Sequence, residues 1–254
     1  MLLRDALGVT RGEMIALIGA GGKTTTLFRL AKELRDQGWK VLVTTTTKIF
    51  QPAKPHIDRL FIVDELQALA DVCADIAAPA IIGAGCGVNQ EGKLLGMPPA
   101  WLDQLNQDTA FDAILVEADG AASRLLKIPA DGEPVIPQSC QSAIWIVAIK
   151  VLGKPLTDVW VHRSARARGL LGLPAEARVS AEILLQLIQH EEGCLKGIPP
   201  ASRKLALIDQ ADSAAEMAAA QALGEKLQKL NFDKVVITSH ASAEPIIRET
   251  PINS

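Results

Sequence analysis

Met14-Ile15-Ala16-Leu17-Ile18-Gly19-Ala20-Gly21-Gly22-Lys23-Thr24-Thr25-Thr26 is an apolar strand that runs into a glycine turn and then into a helix opened by a lysine. Local stability does not favour that order. A lysine at the positive end of a helix dipole is electrostatically misplaced, and β-branched threonines are weak choices for a first helical turn. A bound polyphosphate accounts for both. Glycines allow backbone to approach a ligand closely. The segment Gly19, Ala20, Gly21, Gly22, Lys23, Thr24, Thr25 is therefore expected to hold phosphate. N–H groups of Gly21 to Thr24 would cradle it, Lys23 would reach the terminal groups, and the Thr24 hydroxyl would bind Mg²⁺. The loop is a shortened form of the usual G-x-x-x-x-G-K-[ST] pattern, whose first glycine position is here Leu17. Downstream, Leu27, Leu30, Ala31 and Leu34 fall at helical spacing, and Gly38 is placed to end the helix.

Outward from this loop, apolar β-rich runs alternate with helical patterns. They cover Met14 to Ile18, Lys40 to Thr44, Arg59 to Val63, Ala80 to Ile82, Phe111 to Val116, Ala143 to Ile149, Lys204 to Ile208 and Lys234 to Thr238. Continuous apolar runs suit strands covered on both faces. The expected fold is thus α/β, with a doubly wound, mostly parallel sheet flanked by helices in one P-loop NTPase-like domain over 1–254. Ala211 to Leu230 reads as a long helix packed on the sheet.

Composition narrows the partners. Of 254 residues, 48% are apolar and the formal charge is −3, from 26 basic and 29 acidic side chains. No global field recruits nucleic acid or an anionic membrane. Charge follows Met1-Leu2-Leu3 at once, and the longest apolar runs are far below spanning length, which reads as a cytoplasmic chain. Cys73, Cys86, Cys140 and Cys194 form no C-x-x-C pair, and His56, His162, His190 and His240 are dispersed, so neither a disulfide framework nor a zinc site is signalled.

Other segments belong near the loop. Thr44-Thr45-Thr46-Thr47-Lys48 delivers hydroxyls at a strand's carboxyl end, where open α/β sheets collect ligands; with alternate residues facing alike, Thr46 is a candidate ligand contact beside the reading of plain β-propensity. Glu117-Ala118-Asp119-Gly120 supplies the acidic strand end that a Mg²⁺·nucleotide site needs. Glu117 would serve the metal, Glu117 or Asp119 would orient water, and the Gly120 N–H would sense the terminal phosphate. Asp209-Gln210-Ala211-Asp212 stands where guanine-binding proteins carry N-K-x-D. Asp212 is a base-contact candidate or a helix N-cap, while Asp209 and Gln210 replace the diagnostic Asn and Lys. His162-Arg163 with Arg166 and Arg168 is a basic turn, read either as an anion contact or as solvated surface.

Over nearly its whole length the chain resembles the YqeC family, accessory proteins of selenium-dependent molybdenum hydroxylases. The resemblance rests on Gly19 to Thr25, Thr44 to Lys48, Gly92-Lys93-Leu94-Leu95-Gly96, Glu117 to Gly120, Lys127 with Pro129, Glu133-Pro134-Val135-Ile136-Pro137, and Val151-Leu152-Gly153-Lys154-Pro155-Leu156 followed by His162-Arg163. It implies a P-loop fold and a role in maturing a molybdenum hydroxylase, with that enzyme or its cofactor as partner. The leading expectation is a Mg²⁺-dependent protein that binds and hydrolyses ATP or GTP. One alternative is a ligase or kinase, because the short loop is also similar to that of Mur-type ligases; another is a nucleotide-binding adaptor without turnover.

Overall fold

The computed structural model describes residues 1–52, 54–108 and 110–239, together with the backbone of 248–249; His240 lies outside the described residues. Eight parallel strands form the main sheet: β1 (Glu13–Gly19), β2 (Lys40–Thr45), β3 (Arg59–Ile62), β4 (Ala80–Gly85), β5 (Ala113–Glu117), β6 (Ser142–Ala148), β7 (Arg203–Asp209) and β8 (Lys234–Ile237). Each coincides with one of the apolar runs. A ninth, β9 (Arg248–Glu249), pairs antiparallel with β8.

Across the sheet the order is β9-β8-β7-β6-β1-β5-β2-β4-β3. β1 is central, with β5 on one side and β6 on the other. From β1 the chain first fills one half of the sheet and then crosses to build the other. Two directions of winding therefore meet at the carboxyl end of β1, where such sheets open a crevice.

Continuous apolar strands are buried on both faces because helices cover both. Among the described residues seven do so: α1 (Leu3–Leu7), α2 (Lys23–Arg35), α3 (Leu66–Ala74), α4 (Pro99–Gln107), α5 (Ser164–Leu171), α6 (Ala181–Gln189) and α7 (Ala214–Leu227). Ile15 and Leu17 of β1 pack with Leu27, Leu30 and Leu34 of α2 in one core. Met14, Ala16 and Ile18 face the other, which takes buried residues from α3 to α7. The helix read over Ala211 to Leu230 is shorter at both ends, because a Ser213–Glu216 capping box starts it at Ala214.

Two small sheets stand over the crevice. Lys48–Phe50, Lys93–Leu95 and Gly87–Val88 form an antiparallel flap. Gly96 seats it against the end of β2, where a Cβ would lie 2.3 Å from the Thr46 carbonyl carbon. Leu126–Lys127 pairs in parallel with Val161–His162. Among the described residues, no helix is long and apolar enough to cross a membrane.

Candidate functional site

The glycine loop sits where the two windings meet, and neighbouring strands leave it no room for side chains. Gly19 and Gly21 have φ of 92° and 82°, in the left-handed region. A Cβ on Gly19 would lie 2.3 Å from the Ile146 carbonyl oxygen, and one on Gly21 would lie 2.6 Å from Ala148 Cβ. β6 thus presses the loop from the side. β7 supports it from farther out: Gln210 Nε2 donates to the Gly21 carbonyl at 2.7 Å, and a Cβ on Gly22 would meet Asp209 Oδ2 at 2.1 Å. Asp209 is buried and accepts from Thr238 Oγ1. Sequence reading compared these two residues with a base-recognition motif and missed the support they give the loop, which exists only once β7 lies two strands from β1.

Lys23 opens α2 and is buried, with its Nζ folded back onto the Gly19 carbonyl at 2.7 Å. Its ammonium lies 2.9 Å from Asp119 Oδ1 and 3.9 Å from Glu117 Oε1. Thr24 Oγ1 donates to Glu117 Oε2 at 3.0 Å, and the Gly19 N–H donates to Asp119 Oδ2 at 3.1 Å. The loop and the acidic turn after β5 therefore form one unit. Burial pushes the Glu117 carboxyl above its usual range, outweighing the pull of Lys23 and the Thr24 hydrogen bond. A hydroxyl beside a carboxylate is a hard-oxygen pair that suits Mg²⁺, which takes few protein ligands and fills its octahedron with water and phosphate. Among the described residues no group of three or more His, Cys, Asp or Glu offers a complete metal cage.

A chain of ion pairs runs from Asp119 towards the surface. Lys127, fully buried, places its ammonium 3.2 Å from Asp119 Oδ2 and 2.8 Å from Glu133 Oε2. Arg163 grips Glu133 in a two-pronged pair at 2.8 and 3.1 Å. Burial opposes ionisation of Glu133, but hydrogen bonds from Lys127 and Arg163 prevail and hold its carboxyl at about 2. His162 is pushed down by burial and by the neighbouring Arg163 and Lys127.

The basic turn is committed to internal bonds. Besides the Arg163–Glu133 pair, Arg166 reaches Asp131 and Glu192, and Arg168 donates to the Leu156 carbonyl. The threonine run ties strand ends together: Thr44, Thr45 and Thr46 donate to the carbonyls of Ala84, Glu117 and Val135. Asp212 pairs with Lys150 and accepts from Ser239 Oγ, while Ser213 is the N-cap of α7. Burial lifts the Cys140 and Cys194 thiols to about 12 and raises Cys73 and Cys86, so none is an activated nucleophile.

Three cavities line up along this end of the sheet. The middle one, about 410 Å³, is walled by the glycine loop and by Lys23, Lys48, Lys93 and Arg124, against the single carboxylate of Glu117. Such a wall suits a polyanion. Its turn carries Ala122 and Ser123, both at positive φ, of 46° and 56°. On the β2 side lies a cavity of about 510 Å³ bounded by Thr46, Thr47, Lys48, Gly120 and Glu133. On the β6 side lies a more apolar one of similar size, reaching Ile149, Trp160 and Ala219. Of the residues expected at the site, Gly21 to Thr25, Glu117 and Gly120 line the middle cavity, Gly19 accepts from Lys23, Ala20 is buried, Asp119 anchors Lys23, Thr46 borders the β2-side cavity, and Asp212 stands apart beside Lys150.

A family model described as "YqeC protein" matches residues 15–165. A curated protein of Escherichia coli (strain K12), described as "Uncharacterized protein YqeC", is 31% identical over 234 residues, spanning 92% of this chain and 90% of its own length.

Proposed function

The chain belongs to the YqeC family, and on that premise we propose that it is a Mg²⁺-dependent nucleoside-triphosphate-binding and -hydrolysing accessory protein in the maturation of a selenium-dependent molybdenum hydroxylase. The observation that carries the nucleotide reading is the middle cavity: Lys48, Lys93 and Arg124 face a glycine loop with no space for a Cβ, beside the buried Lys23 at a helix start. The maturation role rests on the resemblance of the quoted motifs.

On this reading Lys23 leaves the Gly19 carbonyl and turns to the terminal phosphates. Asp119 stays compensated when it does so, because Lys127 and the Gly19 N–H still hold its other oxygen. Thr24 and Glu117 would hold Mg²⁺, which would supply charge neutralisation at the phosphates. Glu117 also orients water at the γ-phosphorus. Arg163, Arg166 and Arg168 are engaged elsewhere, and the Arg124 guanidinium is tied to the Asp158 and Ala122 carbonyls. Basal turnover is therefore slow, on the order of 10⁻⁴ to 10⁻³ per second as in an unassisted small GTPase, and rises when a client rearranges that wall.

A second reading draws on the cavity beyond Gly120. It adjoins the terminal-phosphate end and has room for an acceptor, as a kinase or ligase requires. Following labelled γ-phosphate decides between them. Release to water that accelerates with purified client supports the accessory NTPase. Stoichiometric transfer to a carboxylate, nucleotide or pterin acceptor, with no response to client, overturns it in favour of the transferase. Binding without turnover under either condition leaves an adaptor.

A further inference from the structure

The Lys23 loop has a cavity on each side, and the two differ in character. Thr24 and Glu117 join α2 to β5, so the metal and terminal-phosphate end of a bound nucleotide belongs on that side. The ribose and base must then leave the loop on the β6 side. There Gly21 rides on Ala148, and the Ala148 N–H donates to the Leu125 carbonyl. Leu125 lines both the loop cavity and the one beyond β6, so the two are neighbours.

The β6-side cavity, about 510 Å³, has a largely apolar lining that includes Leu125, Ile149, Ala219 and the Trp160 indole. Lys154 lies over one face of Trp160, its ammonium 4.6 Å from the ring centroid, and a base that stacks on that face takes the ammonium's place. At the rim, Lys150 pairs with Asp212, setting a donor beside an acceptor. An apolar slot with one aromatic wall and few polar groups at its edge is what a flat heteroaromatic ring requires. The main-chain bonds of the site hold that wall in place: the Leu125 N–H donates to the Trp160 carbonyl at 2.9 Å, coupling the indole to the segment that borders the loop.

We propose that this cavity is the nucleobase subsite, and that the nucleotide carried on the loop is a purine nucleotide stacked on Trp160. The proposal rests on the phosphate-loop reading above. A purine is favoured because its two-ring face covers more of the indole than a pyrimidine does.

Titration calorimetry of the full chain with Mg²⁺ and, separately, ATP, GTP, CTP, UTP and inorganic tripolyphosphate tests it. The expected order is a purine triphosphate first, pyrimidine triphosphates weaker, and tripolyphosphate weakest. Trp160→Ala should lower purine-triphosphate affinity about tenfold or more and leave tripolyphosphate affinity unchanged. Ala219→Leu, which narrows the cavity from α7 and leaves the indole in place, should act in the same direction. If Trp160→Ala does not fold, quenching of wild-type tryptophan fluorescence by the purine nucleotide, lost in Trp160→Phe, provides the same reading among the four tryptophans. Wild-type affinities equal for all triphosphates and tripolyphosphate, or purine affinity unmoved by both Trp160→Ala and Ala219→Leu, would overturn the base subsite while the phosphate loop stands. Failure of tripolyphosphate and every nucleotide to bind wild type overturns both.

Discussion

Glu13 and Glu117 are both buried carboxylates at ends of central strands, yet they are built for opposite purposes. Glu13, at the amino end of β1, accepts from the Thr10 N–H at 2.9 Å, from Arg203 Nη2 at 2.9 Å and from Ser142 Oγ. Its oxygens are saturated, and it ties β1 to β6 and β7. Glu117, at the carboxyl end of β5, accepts from one hydroxyl and stands 3.9 Å from an ammonium that is better engaged elsewhere, and its carboxyl is raised by burial. A saturated carboxylate holds a sheet together. An under-bonded one beside a glycine loop keeps capacity for a ligand.

Breaking the carboxyl end should therefore cost function, and breaking the amino end should cost stability. The largest effect is expected for Lys23→Ala: Mg²⁺·nucleotide affinity at least tenfold weaker, about 1.4 kcal/mol, and single-turnover hydrolysis slower by about 10² to 10³. Equal calorimetric affinity in variant and wild type would remove Lys23 from the site.

Acid sharpens the comparison. Glu133 is held at about 2 against an ordinary value of 4.5. Because the folded value is the lower one, its contribution is fully present above pH 4.5 and is lost as the pH falls from 4.5 towards 2. Glu133→Gln should flatten the denaturation profile across that window, and an unchanged slope there would count against the Lys127–Glu133–Arg163 chain.

Glu117→Gln should slow single-turnover hydrolysis by about 10² while affinity falls less than tenfold, since the group acts on water and metal more than on the nucleotide itself. Parallel losses in both quantities would make it a simple binding residue. The smallest change belongs to the amino end. Arg203→Ala leaves Glu13 short of its cation and should lower unfolding free energy by about 2 kcal/mol in urea titration, with nucleotide affinity unchanged.

How much of this was legible follows from how local each signal is. All eight parallel strands were readable as apolar runs, seven with the pattern of a strand covered on both faces and β3, at the sheet edge, exposed or half-buried along its length. The loop was readable because Lys23 and its threonines are poor local choices. The supports were not. Gln210 reaches Gly21 across 189 positions, and Lys127 meets Asp119 and Glu133 only after the chain has folded back. Arg163 looked like solvated surface from its neighbours in sequence, and its partner Glu133 lies 30 positions away. Arg124 and Lys93 gave no spacing signal, since they reach the cavity from a turn and a flap.

Ala122 and Ser123 carry a consequence for how the protein ages under selection. Two consecutive non-glycine residues held in the left-handed region cost on the order of 1–2 kcal/mol each, and glycine at either would remove much of that cost. The route to a hardier protein thus runs through the turn that bears Arg124. A variant selected for heat alone would drift towards glycine there and slacken the wall facing the phosphates, so durability and responsiveness to a client would trade against each other at these two positions.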